Sequence, residues 1–238
     1  MRVDVIPTVD EIKNDELYQK TVIVVDILRT SSTIISALAN GCSCIFTAET
    51  LGQAKTLKNQ NPHFQLAGER FYKKVVDFDF GNSPTEMADT PMSATTIVLT
   101  TTNGTRAIQK ALKGETILIG SLLNGESCVK TALSYKKDIV LLAAGDRNQF
   151  AFEDGLGAGF LIDQIKKNYN DFIEINDFGL AMYGAYKYHE NELLEIIKSS
   201  QNAKKLIQNG LTADVEFSCQ INSFSITPFV NDNLSITL

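Results

Sequence analysis

Short apolar runs rich in β-branched residues alternate along the chain with longer segments that carry apolar positions at helical spacing. The clearest example is segment 21–41, TVIVVDILRTSSTIISALANG. Residues 22–25 are typical of a strand that is covered on both faces. Apolar positions at helical spacing follow from Ile34 to Leu38, and Gly41 supplies a residue that commonly ends a helix. The segment predicts a buried strand, a polar loop and a helix.

The same alternation extends over most of the chain. Further strands are predicted at 3–6, 43–48, 64–67, 96–100, 116–119 and 139–143. Helices are predicted at 9–18, 51–58 and 125–133, and a further helix runs from the TTNGT segment to residue 112. Another helix is predicted from 153 onwards, and most of 174–199 is predicted to be helical. Residues 71–90 show no clear period and contain a predicted loop at 77–86, while 215–230 is predicted to form one or two β segments.

Strands that alternate with helices indicate the α/β class, in a layered α/β/α arrangement with a largely parallel, mixed sheet. No linker rich in Gly, Ser or Pro divides the sequence. We therefore predict that residues 1–238 form a single compact α/β domain. An arrangement of two lobes around an active-site cleft is the alternative.

The amino-acid composition restricts the expected cellular location and the expected binding partners of the protein. The chain is 44% hydrophobic and 21% charged, which is ordinary for a globular protein. No apolar run reaches the roughly 20 residues that span a membrane, and the N-terminus lacks the order of a signal peptide. The net charge of −6 disfavours nucleic acid as a partner. Four Cys without zinc spacing predict reduced thiols in a cytoplasmic protein.

Arginine is scarce, with five residues against seventeen lysines, and its placement is informative. Arg29, Arg70, Arg106 and Arg147 all follow predicted strands. The planar guanidinium group binds phosphate, carboxylate or sulfonate through paired hydrogen bonds. In a parallel sheet such loops meet at the carboxyl edge, where α/β proteins bind ligands. The four residues together predict an anion pocket, although each one could instead cap a helix or pair with an acid.

Carboxylates occupy comparable positions. Asp26, Glu69, Glu153 and Asp154 lie where predicted strands end or helices begin. Mg²⁺ prefers hard oxygen ligands and retains several waters, so two or three such carboxylates suffice to bind it. With only two His in the chain, oxygen ligands are the expected ones. The alternatives are a turn residue at Asp26 and helix-start acids at 153 and 154.

The segment TTTNGTR at 100–106 places Thr, Asn and Gly at a predicted helix start, where hydroxyl and backbone N–H groups can bind oxyanions. The same residues are also common helix caps. Absent motifs exclude other phosphate chemistry, because the sequence has no Cys-x5-Arg motif, no Walker loop and no GxGxxG after a strand. The Asp77-Phe78-Asp79 triplet lacks the context of a haloacid dehalogenase.

Several of these motifs occur in an order that resembles the 2-phosphosulfolactate phosphatase (ComB) family. They are VVDILRTSSTIISALANG (24–41), GER (68–70), FDFGNSP (78–84), LTTTNGTRA (99–107), GSLLN (120–124) and AAG with EDGLGAG (143–159). The resemblance implies a Mg²⁺-dependent phosphatase that converts 2-phospho-3-sulfolactate to 3-sulfolactate, a step towards coenzyme M. It also implies an α/β fold of the family's own type and a homodimer.

We assign roles to these motif residues, and to Arg147, from the chemistry described above. Asp26, Glu69, Glu153 and Asp154 are the candidate Mg²⁺ ligands. The candidate catalytic residues are Asp26, Arg29, Arg70 and Arg106. The candidate substrate-binding residues are Ser31, Ser32, Asn82, Ser83, Thr101, Thr102, Asn103, Gly104, Thr105 and Arg147. Both water and Asp26 remain candidates for the attacking nucleophile.

Departures from the family pattern leave the identity of the substrate open. Phe71 and Tyr72 follow GER where the family has Gly-rich residues, Asp77 replaces a Gly, and Ala143-Ala144 stands where a Cys is frequent. These changes fall beside the predicted pocket. The substrate could therefore be another phosphorylated hydroxy acid. A non-catalytic binding protein for a small organic anion is the alternative from a different class.

Overall fold

Strands and helices alternate through most of the structure, a computed structural model that describes residues 1–13 and 15–238. The strands are β1 (Arg2–Ile6), β2 (Thr21–Val25), β3 (Cys44–Thr47), β4 (Gln65–Arg70), β5 (Lys73–Lys74), β6 (Thr96–Thr100), β7 (Thr116–Gly120), β8 (Ile139–Ala143), β9 (Glu174–Ile175), β10 (Phe229–Val230) and β11 (Ser235–Thr237). The helices are α1 (Thr30–Ala39), α2 (Leu51–Gln60), α3 (Pro84–Asp89), α4 (Gly104–Ala111), α5 (Gly125–Ser134), α6 (Phe152–Asn168), α7 (Asp177–His189), α8 (Leu193–Lys198), α9 (Gln201–Gln208) and α10 (Thr212–Ser218).

All these strands join one sheet in the order β5-β4-β6-β3-β11-β10-β7-β2-β8-β1-β9. Two groups of neighbouring strands are parallel, β4-β6-β3 and β7-β2-β8-β1-β9. The C-terminal hairpin β10-β11 lies between the groups and pairs antiparallel with each of them. The predicted α/β class and the largely parallel, mixed sheet are confirmed.

Helices cover both faces of the sheet, and β2 shows how the sequence directs this layering. Val22 and Val24 belong to a core cluster that includes residues of α1 and α4. Ile23 and Val25 point to the opposite face and belong to a cluster with α5 and α6. Successive strand side chains alternate between faces. An uninterrupted apolar run is therefore required in a strand that is buried on both sides.

The two parallel groups run in opposite directions, because three successive antiparallel pairings separate them. In a flat sheet their carboxyl ends would lie on opposite edges. Thr30 Oγ1 nevertheless donates a hydrogen bond to Thr101 Oγ1 at 3.2 Å, so the loops after β2 and β6 meet. Because β2 and β6 are five positions apart in the sheet, this contact requires the sheet to twist and curl between them.

Three local predictions were wrong. The helix predicted at 9–18 is only a short 3₁₀ turn, Val9–Glu11, among the described residues, and Asp15 has a left-handed φ of 64° that an α-helix excludes. Asn14 lies outside the described residues. The predicted loop at 77–86 contains the start of α3, where Ser83 caps the helix and Pro84 is its first residue.

The C-terminal prediction was wrong in part. Residues 215–218 complete helix α10, and only Phe229–Val230 at the end of the predicted segment form a strand. In α10 the buried residues are Asp214, Val215 and Ser218, a spacing typical of a helix face rather than of a strand. Among the described residues, no helix is both long enough and apolar enough to cross a membrane.

The hairpin that joins the two parallel groups should be essential for stability. Ile236 on β11 is fully buried and pairs with Ile45 of β3. We expect Ile236→Ala to lower the free energy of unfolding by about 2–5 kcal/mol, because it removes buried methyl groups and leaves a cavity. Urea unfolding measures this change. Ile221→Ala is the matched control, since Ile221 is 46% exposed and its truncation should cost less than about 0.5 kcal/mol. Equal losses in both variants would contradict the role of the hairpin.

Candidate active site

A polar cleft opens where the loops after β2, β4, β6 and β8 meet. Its empty space is about 390 Å³, including the solvent at its mouth. The residues that line it are Asp26, Leu28, Arg29, Thr30, Glu69, Phe71, Tyr72, Asn82, Thr101, Thr102, Asn103, Asp146, Arg147 and Asn202. Eight of the sequence-predicted site residues are therefore brought together: Asp26, Arg29, Glu69, Asn82, Thr101, Thr102, Asn103 and Arg147.

The loop after β2 is shaped by two predicted site residues that do not line the cleft themselves. Ser31 Oγ accepts a hydrogen bond from the Asp26 backbone N–H at 3.0 Å, and the Ser31 N–H donates to the Asp26 carbonyl at 3.0 Å. Ser32 Oγ donates to the Ile27 carbonyl at 2.9 Å. These bonds close a tight turn between strand and helix. Ser31 and Ser32 thus hold Asp26 at the floor of the cleft.

The loop after β6 packs directly against Asp26. Gly104 begins α4, and a Cβ atom at this position would collide with Thr30 Oγ1 and Asp26 Oδ2. Thr101 Oγ1 accepts the Thr105 backbone N–H at 3.1 Å, and Thr105 Oγ1 donates to the Thr101 carbonyl at 3.1 Å. Gly104 and Thr105 therefore act through the backbone geometry of the loop. Only Gly fits this approach.

Glu69 fastens two loops of the cleft wall. Its Oε1 accepts hydrogen bonds from the backbone N–H and the hydroxyl of Thr102, at 2.9 and 2.8 Å. Its Oε2 accepts the Tyr72 backbone N–H at 3.0 Å. Both oxygens are thus engaged by protein donors. Glu69 organises the wall with its carboxylate.

The loop after β8 is joined to the β6 loop by side-chain bonds. Asn103 Nδ2 donates to Asp146 Oδ1 at 3.1 Å, and Asn103 Oδ1 accepts the Arg147 backbone N–H at 3.1 Å. The Arg147 guanidinium lies over the Phe71 ring, 5.1 Å from its centroid. Lys205 Nζ is 3.3 Å from Asp146 Oδ2. This side of the cleft therefore carries the positive charges of Arg147 and Lys205 next to the negative charge of Asp146.

The four predicted arginines occupy different environments. Arg29 is buried and pairs with Asp214, with 2.7 Å between Nη1 and Oδ2. Arg70 donates to the carbonyls of Glu69 and Thr100 and does not line the cleft. Arg106 pairs with Asp10 and also lies outside the lining. Arg29 and Arg147 are therefore the two guanidinium groups that the structure places at the cleft.

Burial strongly perturbs the acids around Asp26. Desolvation raises the pKa of Asp26 to about 6, and the charges of Glu153 and Glu69 add to the increase against opposing hydrogen bonds from Thr30. Burial likewise raises the pKa of Glu153. The pKa of Asp154 is raised well above its ordinary value by desolvation and by Asp26 and Glu153. Perturbed acids in a cleft are typical of functional sites.

Glu153 and Asp154 lie in the first turn of α6 and differ in how many of their carboxylate oxygens have hydrogen-bond partners. Asp154 accepts backbone N–H bonds from Ile27 at 2.8 Å and Gly145 at 3.1 Å, so both of its oxygens are engaged. Glu153 Oε1 accepts from Asn202 Nδ2 at 2.8 Å, whereas its buried Oε2 has no hydrogen-bond partner. The oxygen of Asn82 is a second buried acceptor without a partner. Unpaired buried acceptors call for a ligand, a water or a cation.

The chemical type of the oxygen atoms in this region shows whether the site suits Mg²⁺. Asp26, Glu153 Oε2 and the Asn82 oxygen are hard oxygen donors, which is the donor type that Mg²⁺ prefers. No three His, Cys, Asp or Glu side chains converge as a metal-ligand group in residues 1–13 and 15–238. A cation held by one or two carboxylates together with waters fits this arrangement. Direct ligation by Glu69 or Asp154 stays a prediction.

Sequence reasoning missed several residues of this region. Asp146 lies in the loop after β8, and its position between Gly145 and Arg147 could have indicated it. Asn202 and Asp214 come from the C-terminal helices α9 and α10, where no sequence signal pointed to the cleft. Asn202 Nδ2 donates to the Leu28 carbonyl at 2.9 Å as well as to Glu153. Only tertiary packing brings these helices to the site.

Fold and cleft together define an α/β protein with a polar cleft that contains two guanidinium groups and lies beside several buried acids. Comparison with known proteins agrees with this class. The sequence profile described as 2-phosphosulpholactate phosphatase matches residues 6–233. The chain therefore belongs to the 2-phosphosulpholactate phosphatase family, a family of phosphoric monoester hydrolases, and the resemblance based on the motifs is confirmed.

Similar proteins cover nearly the whole chain. A protein of Clostridium tetani named probable 2-phosphosulfolactate phosphatase is 36% identical over 229 residues, which is 96% of this chain and 97% of the relative. A protein of Clostridium acetobutylicum with the same name is 34% identical over 96% of this chain and 97% of its own. One from Thermotoga petrophila, also so named, is 39% identical over 88% of each chain.

The raised pKa of Asp26 predicts a pH-dependent stability in EDTA. Between about pH 4 and pH 6 the folded state keeps a proton that the unfolded chain loses, so this carboxyl makes folding less favourable as pH rises through the window. Above it the cost is about 3 kcal/mol. We expect Asp26→Asn to be more stable than the wild type by up to about 3 kcal/mol near pH 7.5 and equally stable near pH 4. Urea unfolding at both pH values measures this.

The matched control for this prediction is Asp171→Asn, which neutralises an exposed carboxylate. It should change stability by less than about 0.5 kcal/mol at either pH. An Asp26→Asn variant that is less stable than the wild type near pH 7.5 would contradict the desolvation of Asp26.

The close approach of Gly104 to Asp26 gives a second prediction. Gly104→Ala should lower phosphatase activity by about 10- to 100-fold, because the added methyl group displaces Thr30 and Asp26. Gly184→Ala in α7 is the control, since its Cβ would meet no atom within 4 Å. This control should keep full activity and gain about 0.4–1 kcal/mol of stability. Full activity in Gly104→Ala would show that the approach is not required.

Proposed function

We propose that the protein is a Mg²⁺-dependent phosphatase that hydrolyses 2-phospho-3-sulfolactate to 3-sulfolactate and phosphate. Family membership and the names of the relatives support the reaction. The observation that carries the proposal is the group of desolvated acids around Asp26 in a cleft that also holds Arg29 and Arg147. The family resemblance adds a step towards coenzyme M and a homodimer to the proposal, and the reduced thiols predicted for the four Cys add a cytoplasmic location.

The charges of the cleft support a requirement for a divalent cation. Asp26, Glu69 and Asp146 line it together with Arg29, whose charge is balanced by Asp214, and Arg147, so the negative charges outnumber the unbalanced positive charge. A phosphate ester with two further acid groups would meet net repulsion in such a cleft. When bound, Mg²⁺ supplies positive charge next to the phosphoryl oxygens and lowers this repulsion. We propose that Asp26 and Glu153 hold it, directly or through water, with the Asn82 oxygen as a further donor.

The remaining polar groups are proposed to bind and orient the phosphoryl group. Arg29, Asn82, Thr101 and Thr102 line the same cleft as Asp26. Charge-assisted hydrogen bonds from a guanidinium to phosphate are among the stronger polar contacts in proteins. Preorganised donors of this kind stabilise charge that develops on the phosphoryl oxygens during transfer.

Arg147 is proposed to bind the acid group furthest from the phosphate. Among the described residues it has no carboxylate within ion-pair distance, and its guanidinium rests on the Phe71 ring at the mouth of the cleft. A stacked guanidinium keeps its edge donors available for a planar or tetrahedral anion. The sulfonate or carboxylate of the substrate fits this position.

A second candidate is a phosphatase for another phosphorylated hydroxy acid. Phe71 and Tyr72, the residues that depart from the Gly-rich family pattern, both line the cleft. They narrow its mouth and place an aromatic ring under Arg147. A different end group on the substrate could therefore be accommodated. Substrate comparison separates the two candidates.

Phosphate release from 2-phosphosulfolactate, phospholactate and phosphoglycolate tests both candidates. We expect release that favours the sulfonate and falls by about 100-fold or more when EDTA replaces Mg²⁺. Arg147→Gln should reduce this preference for the sulfonate while leaving release from phosphoglycolate nearly unchanged. Lys167→Gln, which removes an exposed positive charge from α6, is the control and should leave the preference intact.

Each alternative outcome has a defined meaning. Release from the other esters but not from the sulfonate would leave a phosphatase and reject the coenzyme M step. Equal rates in Mg²⁺ and EDTA would reject the metal. Binding of these anions without any release would support the non-catalytic binding protein instead.

A further inference from the structure

A fully buried acid lies directly behind the cleft and belongs to none of the motifs recognised in the sequence. Asp214 in α10 is 1% exposed. Its Oδ2 accepts a hydrogen bond from Arg29 Nη1 at 2.7 Å. Arg29 itself is only 4% exposed, so the ion pair is formed almost entirely inside the protein. A buried charge of this kind is costly unless it is paired, and each residue therefore requires the other.

The second oxygen of Asp214 holds a different segment. Asp214 Oδ1 accepts the hydroxyl groups of Ser83 and Thr85, each at 2.6 Å. Ser83 is the N-cap of α3 and accepts the backbone N–H of Glu86 at 3.1 Å. Asp214 thereby joins the start of α3 to the start of α1, which are separated by more than fifty residues in the chain.

Both of these segments contribute to the cleft. Arg29 lines it directly, and Asn82, the residue before Ser83, lines it with a buried oxygen that has no partner. In the part of the chain that the structure describes, the Arg29 guanidinium makes hydrogen bonds through Nη1 alone. None of its nitrogens is among the buried polar atoms that lack a partner. The remaining N–H groups of Arg29 are therefore accessible from the cleft.

We propose that Asp214 is a positioning residue for the phosphatase reaction. It fixes the Arg29 guanidinium by one edge, so that the other N–H groups face the phosphoryl group of the substrate. Its hydrogen bonds to Ser83 and Thr85 tie α10 to the start of α3 and so keep the Asp214 carboxylate in place behind Arg29. The inference rests on the proposed function in one respect, namely that Arg29 binds phosphate. A small displacement of such a group is sufficient for a large loss of rate.

Kinetics of Asp214 variants test this role. Asp214→Asn should lower kcat/KM by about 10- to 100-fold, in the range seen when outer partners of site residues are removed. Asp214→Glu keeps the charge and should recover part of the loss. Asp4→Asn is the matched control, because Asp4 is also buried and ion-paired, but its partners Arg2 and Lys20 do not line the cleft, whereas Arg29 does. It should lose stability and keep kcat/KM within about twofold.

A double-mutant cycle separates positioning from general support of the fold. If Asp214 acts through Arg29, the variant Arg29→Gln/Asp214→Asn should be no slower than Arg29→Gln alone, within about threefold. Multiplicative losses would show independent effects and overturn the proposal. So would an Asp214→Asn variant that turns over as fast as the wild type.

Binding of inorganic phosphate in Mg²⁺, measured by calorimetry, keeps the two proposals distinguishable. A wild type that releases no phosphate from any ester would reject the proposed reaction. The positioning role of Asp214 would then be tested by phosphate binding alone, and we expect the Kd for phosphate to be about tenfold higher in Asp214→Asn than in the wild type. Equal phosphate affinity in both proteins would overturn the positioning role. A wild type that neither releases nor binds phosphate would overturn both proposals.

Discussion

The packing of several acids into a desolvated space at the end of β2 is the constraint on which the site depends. Asp26, Glu153 and Asp154 each lose hydration, and their charges oppose one another. The fold offsets part of this cost with directed donors, such as the backbone N–H groups of Ile27 and Gly145 on Asp154. The desolvation cost that remains uncompensated is the physical basis for the proposed cation. Electrostatic strain of this kind is expected where function, rather than stability, sets the arrangement.

The same constraint explains why the loops are so tightly specified. Asp26 can be buried only if its neighbours approach closely, and Gly104 permits that approach because it has no side chain. Ser31 then fixes the backbone of Asp26. Glu69 fastens the facing loop through Thr102 and Tyr72. Polar residues that first suggested substrate contacts thus divide into those that face the cleft and those that shape its walls.

Buried ion pairs extend this organisation beyond the cleft. Arg29 carries a charge at 4% exposure because Asp214 lies behind it. That pair connects α10 with α1, while Asn202 of α9 reaches both Leu28 and Glu153. The C-terminal helices are therefore part of the site although they contribute few lining residues. Asn202 and Asp214 are the residues through which these helices contact Leu28, Glu153 and Arg29.

Local sequence determined the elements whose pattern is unambiguous. The run 22–25 alternates its side chains between two apolar layers, and the GNSP and TTNGT motifs supply helix caps and a close approach that other residues would disrupt. Only the tertiary structure decided that the C-terminal hairpin separates two opposed parallel groups, and that Asp214 rather than substrate alone balances Arg29. The reason is physical, since local propensity acts over a few residues, whereas strand order and the partner of a buried charge depend on contacts between distant segments.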